Sequence, residues 1–195
     1  LHHPVSVYAK QVTRGRLHDQ CGAYEILACQ RHLDDLKRQG APNFPYVFDT
    51  TRADRVLRFF GQCIQSRGVE AGQPIQPQPW QVFDLGYTYG WVHKETGARR
   101  FKRTYEKRSR ANFKSTEKSA LCLYHMCADA LYPPYCPELA AFEQEPEVLC
   151  AAVDRSQALR VFGDAKKIAL ASPSIQRRLY IPRANPVVHR TRGGY

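Results

Sequence analysis

Between Arg99 and Pro173 the period of the apolar pattern switches repeatedly, and few folds accept that order. Phe101, Arg103 and Tyr105 alternate with Lys102, Thr104 and Glu106, so a strand is expected there. Ala120, Leu121, Leu123, Tyr124 and Cys127 then recur at helical spacing, and the helix breaks before Pro133 and Pro134. The run EVLCAAV, residues 147–153, is short, apolar and closed by Asp154, the pattern of a strand buried in a parallel sheet. Ala158, Val161, Phe162, Ala165, Ile168 and Ala169 predict a further helix ending at Ser172 and Pro173. Strand, loop, helix, strand, helix implies a parallel α/β core, because parallel neighbours need a crossover helix between them.

The 195 residues suffice for one such domain with a buried core. Residues 1–18 read as polar and basic. Tyr24, Leu27, Ala28, Leu33 and Leu36 predict a helix to Arg38, ended by Gly40 and Pro42. A second helix is expected after Asp49 and Thr50, with Ala53, Val56, Leu57, Phe60 and Ile64 on one stripe, ending near Gly68. The three prolines of EAGQPIQPQPWQ read as an extended connector, and Trp80, Phe83, Tyr87 and Trp91 as a short aromatic element of the core. The tail from Ile181 offers at most one more strand.

Lysine and arginine total 29 against 18 acids, a net charge of +11 that favours polyanionic partners, nucleic acid or nucleotide phosphate. Arg99 to Arg110 alone hold seven basic residues and one acid. A solvated basic face accounts for such a run equally well. The seven cysteines include no CxxC pair and fall in apolar segments, as reduced thiols do. Cys29 with His32 and Cys122 with His125 have CxxH spacing, but both pairs sit in helical patterns where a buried cysteine is a small hydrophobe more often than a zinc ligand. No apolar run approaches the roughly 18 residues that span a membrane, so a soluble, cytoplasmic protein is expected.

The stretch between the first strand and its helix, Arg108 to Thr116, reads RSRANFKST. A phosphate loop reads GxxxxGK[ST], its glycines allowing the backbone to bend around the phosphates. Lys114 and Ser115 are in register, whereas Arg108 and Phe113 hold the two glycine positions. A phosphate seat needs inward amides at a helix start, a lysine for β and γ oxygens and a hydroxyl for magnesium. A bulky residue at Phe113 is expected to keep negative φ and point away from the nucleotide. From the motif alone, a basic surface loop containing Lys-Ser fits the residues at least as well.

The surroundings decide further. AGQPIQPQPWQVFDLGYTYGW, TGARRFKRTYEKRSRANFKS and VLCAAVDRSQALRVFGDA, together with the earlier ACQRHLDDL and YVFDTTRADRVLRFF, resemble in the same order the large terminase subunit of tailed bacteriophages. In that family the loop often reads RKNGKS or RGNGKS, onto which Arg110, Ala111, Asn112, Phe113, Lys114 and Ser115 align with Phe113 as the departure. The resemblance implies a RecA/ASCE-like P-loop NTPase sheet, incomplete here and preceded by N-terminal helices: a helical segment and linker at 1–78, then a partial ATPase core at 79–195 with its loop at 108–116. It implies ATP and Mg²⁺ as ligands. Ala111, Asn112, Phe113, Lys114, Ser115 and Thr116 would line the nucleotide, Lys114 on the β and γ phosphates, Ser115 on magnesium, and Arg110 at the γ phosphate as a catalytic charge sensor. Trp80 and Gln81 match the family's adenine motif, a glutamine amide being able to donate and accept at once. Arg155 and Gln157 fall at the carboxyl edge of the second expected strand, where α/β sheets bind ligands, although helix capping and surface charge explain them as well.

No apolar strand ending in Asp-Glu follows EVLCAAV, so the carboxylates that hold magnesium and activate water, and the nuclease domain, are expected to lie outside residues 1–195. The family reading is therefore an amino-terminal ATPase piece, weak or inactive in hydrolysis, of the motor that packages double-stranded DNA into procapsids in the bacterial host cytoplasm. Its partners would be DNA, the portal protein, the small terminase subunit and further copies of itself. The alternative is a non-catalytic basic module that binds nucleic acid or a packaging partner. A P-loop small-molecule kinase fits less well, since no acceptor-site constellation is visible.

Overall fold

The computed structural model describes residues 2–109, 112–131, 141–142, 145–183 and 186–195. These form two compact units, one from residues 1–57 and 77–104, the other from 58–76, 105–131 and 140–195. Residues 77–104 thus pack with the N-terminal helices.

The first unit begins with a helix where residues 1–18 had read only as polar and basic. Pro4 to Arg14 form α1, with Pro4 in the first turn and His3 Nδ1 accepting from Val5 N at 3.3 Å. Proline suits that position, since its missing N–H would be unpaired anyway. Val5, Tyr8, Ala9 and Val12 recur at i, i+3, i+4 and i+7 and are buried. Helix α2, Ala23–Arg38, lies where expected, and Ala28, Leu33 and Leu36 pack on the core as expected, but Cys29, His32 and Asp35 are its buried residues, while Tyr24 and Leu27 face solvent. Strand β1, Tyr46–Phe48, precedes α3, Thr50–Phe60, which Asp49 Oδ1 caps by accepting from Arg52 N at 3.1 Å. The aromatic element is α4, Pro79–Gly90, running into β2, Trp91–His93, and β2 pairs antiparallel with β1 in the register Phe48 with Trp91. Helices α1, α2 and α4 enclose one core of Val5, Tyr8, Val12, Phe48, Phe83 and Trp91 with their neighbours. At Gly86 a methyl group would collide with Val5 Cγ2, so glycine lets α1 and α4 approach closely.

Two polar groups are stitched through that core. His32 is fully buried: Trp91 Nε1 donates to its Nδ1 at 3.0 Å, and its Nε2 lies 3.0 Å from Ser6 Oγ. Indole nitrogen can only donate, so Nδ1 accepts and the imidazole carries its proton on Nε2. Both His32 nitrogens are thus spent on packing partners. Arg100 donates to Asp35 Oδ2 at 2.6 Å, and its guanidinium lies against the rings of Phe44, Tyr46, Trp91 and Phe101. One charge of the basic run is therefore structural.

In the second unit α5, Lys114–Cys127, packs on α6, Arg155–Ala171. The buried Ser119 hydroxyl lies 2.7 Å from Ser115 O in its own helix and 2.8 Å from Val161 O of α6. Phe59 meets Tyr124 edge to face, and Ile64 N donates to Ser172 Oγ at 2.7 Å. Asp154 caps α6 by accepting from Gln157 N at 3.0 Å, which is how the chain uses Gln157. Helix α7, Pro173–Gln176, leads to β5, Leu179–Tyr180, which pairs antiparallel with β6, Val188–His189. A third short ladder joins β3, Ala130–Leu131, to β4, Ala141–Phe142. His125 Nδ1 meets Asp129 Oδ2 at 2.7 Å.

The fold is mixed α/β, but two expected strands are not strands. Residues 101–109 join no ladder, and residues 147–153 are irregular, with Leu149 75% and Val153 fully exposed. Among the described residues the ladders are three antiparallel pairs, not a parallel sheet. Alternation and apolarity record what a strand's faces would touch; a strand also needs a neighbour for its N–H and C=O groups. Here Val148 N finds that partner in Tyr195 O at 2.8 Å, and Tyr195 N in Pro146 O at 2.9 Å. No described helix is long and apolar enough to cross a membrane.

Candidate phosphate-loop site

Helix α5 starts at Lys114, the residue at which the loop motif would open one. Its first intrahelical bond runs from Glu117 N to Phe113 O at 2.9 Å, and no side chain caps the turn. The amides of Lys114, Ser115 and Thr116 thus head the helix, where the backbone dipole favours an anion. Phe113, immediately before them, is left-handed, with φ 58° and ψ 7°. The expectation of negative φ there is overturned. A glycine at this motif position supplies positive φ without steric cost; this chain takes the same bend with a phenylalanine.

Lys114 folds back over the loop. Its Nζ donates to Arg108 O at 2.5 Å and to Ser109 O at 2.8 Å, so the ammonium is held by two carbonyls of the segment before the helix. Asn112 Nδ2 donates to Ser109 Oγ at 2.6 Å. Ser115 is exposed at the helix start and Thr116 half-buried beside it. Arg110 and Ala111 lie outside the described residues.

A chain of alternating charge braces the loop on its helix side. Arg108 donates to Glu106 Oε1 at 2.6 Å, Lys118 pairs with Glu106 Oε2, and Lys118 also donates to the buried Glu117 at 2.8 Å. Burial works against the charge of Glu106, but the bonds from Lys118 and Arg108 outweigh it and hold the carboxyl below its usual range. Burial likewise opposes the Lys118 charge, and Glu117 and Glu106 together raise its pKa. Sequence reasoning missed this network. Glu106 and Lys118 are 12 residues apart and belong to segments of different period, so no pattern joins them.

Trp80 and Gln81 belong to the first unit, the loop to the second. Gln81 is buried at the start of α4, where its Oε1 accepts from Gln78 N at 2.9 Å in a reciprocal capping box. Trp80 packs half-buried on the core. Gln81→Ala is expected to lower the stability of the first unit by about 1 kcal/mol, the usual value of such a cap. Urea unfolding without nucleotide, followed by tryptophan fluorescence, measures it.

The donor set suits a triphosphate: uncapped amides, an ammonium already bound to carbonyl oxygens, and an exposed hydroxyl of the hard-oxygen type magnesium accepts. Residues 79–185 match the family described as terminase large subunit, ATPase domain. Among solved structures the chain is similar to the crystal structure of the HK97 bacteriophage large terminase, with a TM-score of 0.55 and 21% identity over 73% of this chain. It spans 26% of that structure's length. A comparison with the curated proteins finds no match.

Proposed function

Because the chain belongs to the terminase large subunit family, through its ATPase domain, we propose that residues 108–116 seat the triphosphate of ATP in the nucleotide-binding part of a DNA-packaging motor. The observation that carries this reading is the Lys114 ammonium, held by the Arg108 and Ser109 carbonyls at an uncapped helix start. On binding, Lys114 exchanges those carbonyls for β and γ phosphate oxygens, and the amides at the head of α5 accept the remaining charge. Ser115 would hold magnesium, which supplies charge neutralisation on the phosphates when bound. Arg110 is the proposed charge sensor at the γ phosphate.

Binding outranks turnover in this reading. The carboxylates flanking the loop, Glu106 and Glu117, are engaged by Arg108 and Lys118, which opposes a role as the base that activates water. Double-stranded DNA, the portal protein and the small terminase subunit are the partners proposed with the motor, in the bacterial host cytoplasm. Exposed Lys102, Arg103 and Lys107 supply cationic surface.

ATP with magnesium at about 100 times its dissociation constant should stabilise the fold by roughly 2.7 kcal/mol. In Lys114→Ala the rise in melting temperature should vanish. An equal rise in both proteins, or none in either, would remove the loop from consideration; salt-dependent DNA binding without any nucleotide shift would instead favour a non-catalytic nucleic-acid module.

A further inference from the structure

Cys122 on α5 faces Cys150 in the irregular segment before α6, with the two sulfurs 4.0 Å apart. A disulfide needs about 2.05 Å between sulfurs. Bond formation requires the two side chains to rotate toward each other, and Cys150 lies in a segment outside any regular strand ladder. Both residues are partly exposed, whereas Cys29, Cys63 and Cys127 are buried. Both cysteines line a cavity of about 340 Å³ with Leu123, Met126, Val148 and Phe162, and Leu149 and Leu159, which also line it, remain exposed to solvent. A small reagent can therefore reach them.

We propose that Cys122 and Cys150 are a reversible thiol–disulfide exchange site for small-molecule disulfides of the glutathione class. The Cys150 thiol loses its proton and attacks one sulfur of the reagent, breaking its S–S bond and expelling one thiolate, which takes up a proton. Cys122 then gives up its proton and attacks the Cys150 sulfur of the mixed disulfide, expelling the second thiolate, which is protonated in turn. Two protein thiols are oxidised and one reagent disulfide is reduced to two thiols. Cys150 acts first because it lies between the exposed Leu149 and Ala151, whereas Cys122 is set in α5, where burial raises its thiol.

The bond joins residues 28 apart and staples the segment leading into α6 onto the helix that begins at the loop. Closing that ring restricts the unfolded chain and stabilises the folded one. The site stands independently of nucleotide binding.

The full chain is treated with oxidised glutathione, quenched in acid and mapped by peptide mass spectrometry. The expected product carries one Cys122–Cys150 linkage, two hydrogens lighter than the reduced chain, and melts roughly 5–10 °C higher until dithiothreitol reverses it. Cys122→Ser should stop at a glutathione adduct on Cys150, and Cys150→Ser should leave Cys122 unmodified. A lasting adduct on wild-type Cys150 without the internal bond would overturn the proposal. So would undiminished alkylation of both thiols after treatment, a measurement that needs no variant to fold.

Discussion

Lowering the pH from 6.5 to 4 is expected to remove about 3 kcal/mol of stability from the first unit through His32 alone. Burial, with a smaller contribution from His3, lowers its pKa from 6.5 to about 4. Between those values the unfolded chain binds a proton that the folded chain refuses. Stability is therefore complete above pH 6.5, falls by about 1.4 kcal/mol per unit through the window and levels off below pH 4. The refusal has a visible cause: protonating Nδ1 would set two donors, imidazole and indole, against each other at a 3.0 Å contact. Both tryptophans, Trp80 and Trp91, lie in the first unit, so their fluorescence during urea unfolding reports on it. His32→Gln, whose amide can still accept from Trp91 and donate to Ser6 but does not titrate, should flatten the profile. If wild type and variant lose stability in parallel, His32 is not the group responsible.

Phe113→Gly should both stabilise the fold and tighten ATP binding by about tenfold. A left-handed bulky residue costs roughly 1–2 kcal/mol, which glycine does not incur. Glycine's greater freedom in the unfolded chain and the lost contacts of a half-buried ring return part of that, leaving a gain of about 1 kcal/mol, or a melting temperature up by roughly 2–4 °C. For the nucleotide, removing the Cβ lets the backbone approach the phosphates as a glycine loop does. Phe113→Ala is the control, since it removes the ring and keeps the strain. Should Phe113→Gly prove no more stable than Phe113→Ala, the left-handed strain is too small to outweigh glycine's freedom in the unfolded chain and the argument fails.

Much of the helical framework was legible because a helix burying one face writes its period into the chain. The helices at 23–38, 50–60 and 155–171 begin or end beside Gly22, Asp49 and Gly61, and Asp154 and Pro173, while that at 114–127 is marked by its apolar spacing. Helix α1 escaped notice because Val5, Tyr8, Ala9 and Val12 are set among polar and basic neighbours, although their spacing carried the signal. Lys114 and Ser115 could be singled out by their motif register. Glu106, Glu117 and Lys118 could not, since their association depends on the segment before the loop returning to the face of α5.

The order of residues by itself determined most of the segments that coil, where α6 begins and ends, and the family to which the loop and its flanks belong. Only the tertiary structure decided that residues 101–106 and 147–153 remain outside any ladder, that Phe113 bends left-handed, and that Arg100 and His32 serve the core. The division has one physical reason: periodicity and capping are settled among residues within a few positions of each other, whereas strand pairing, strain and ion pairing depend on partners that only folding brings near.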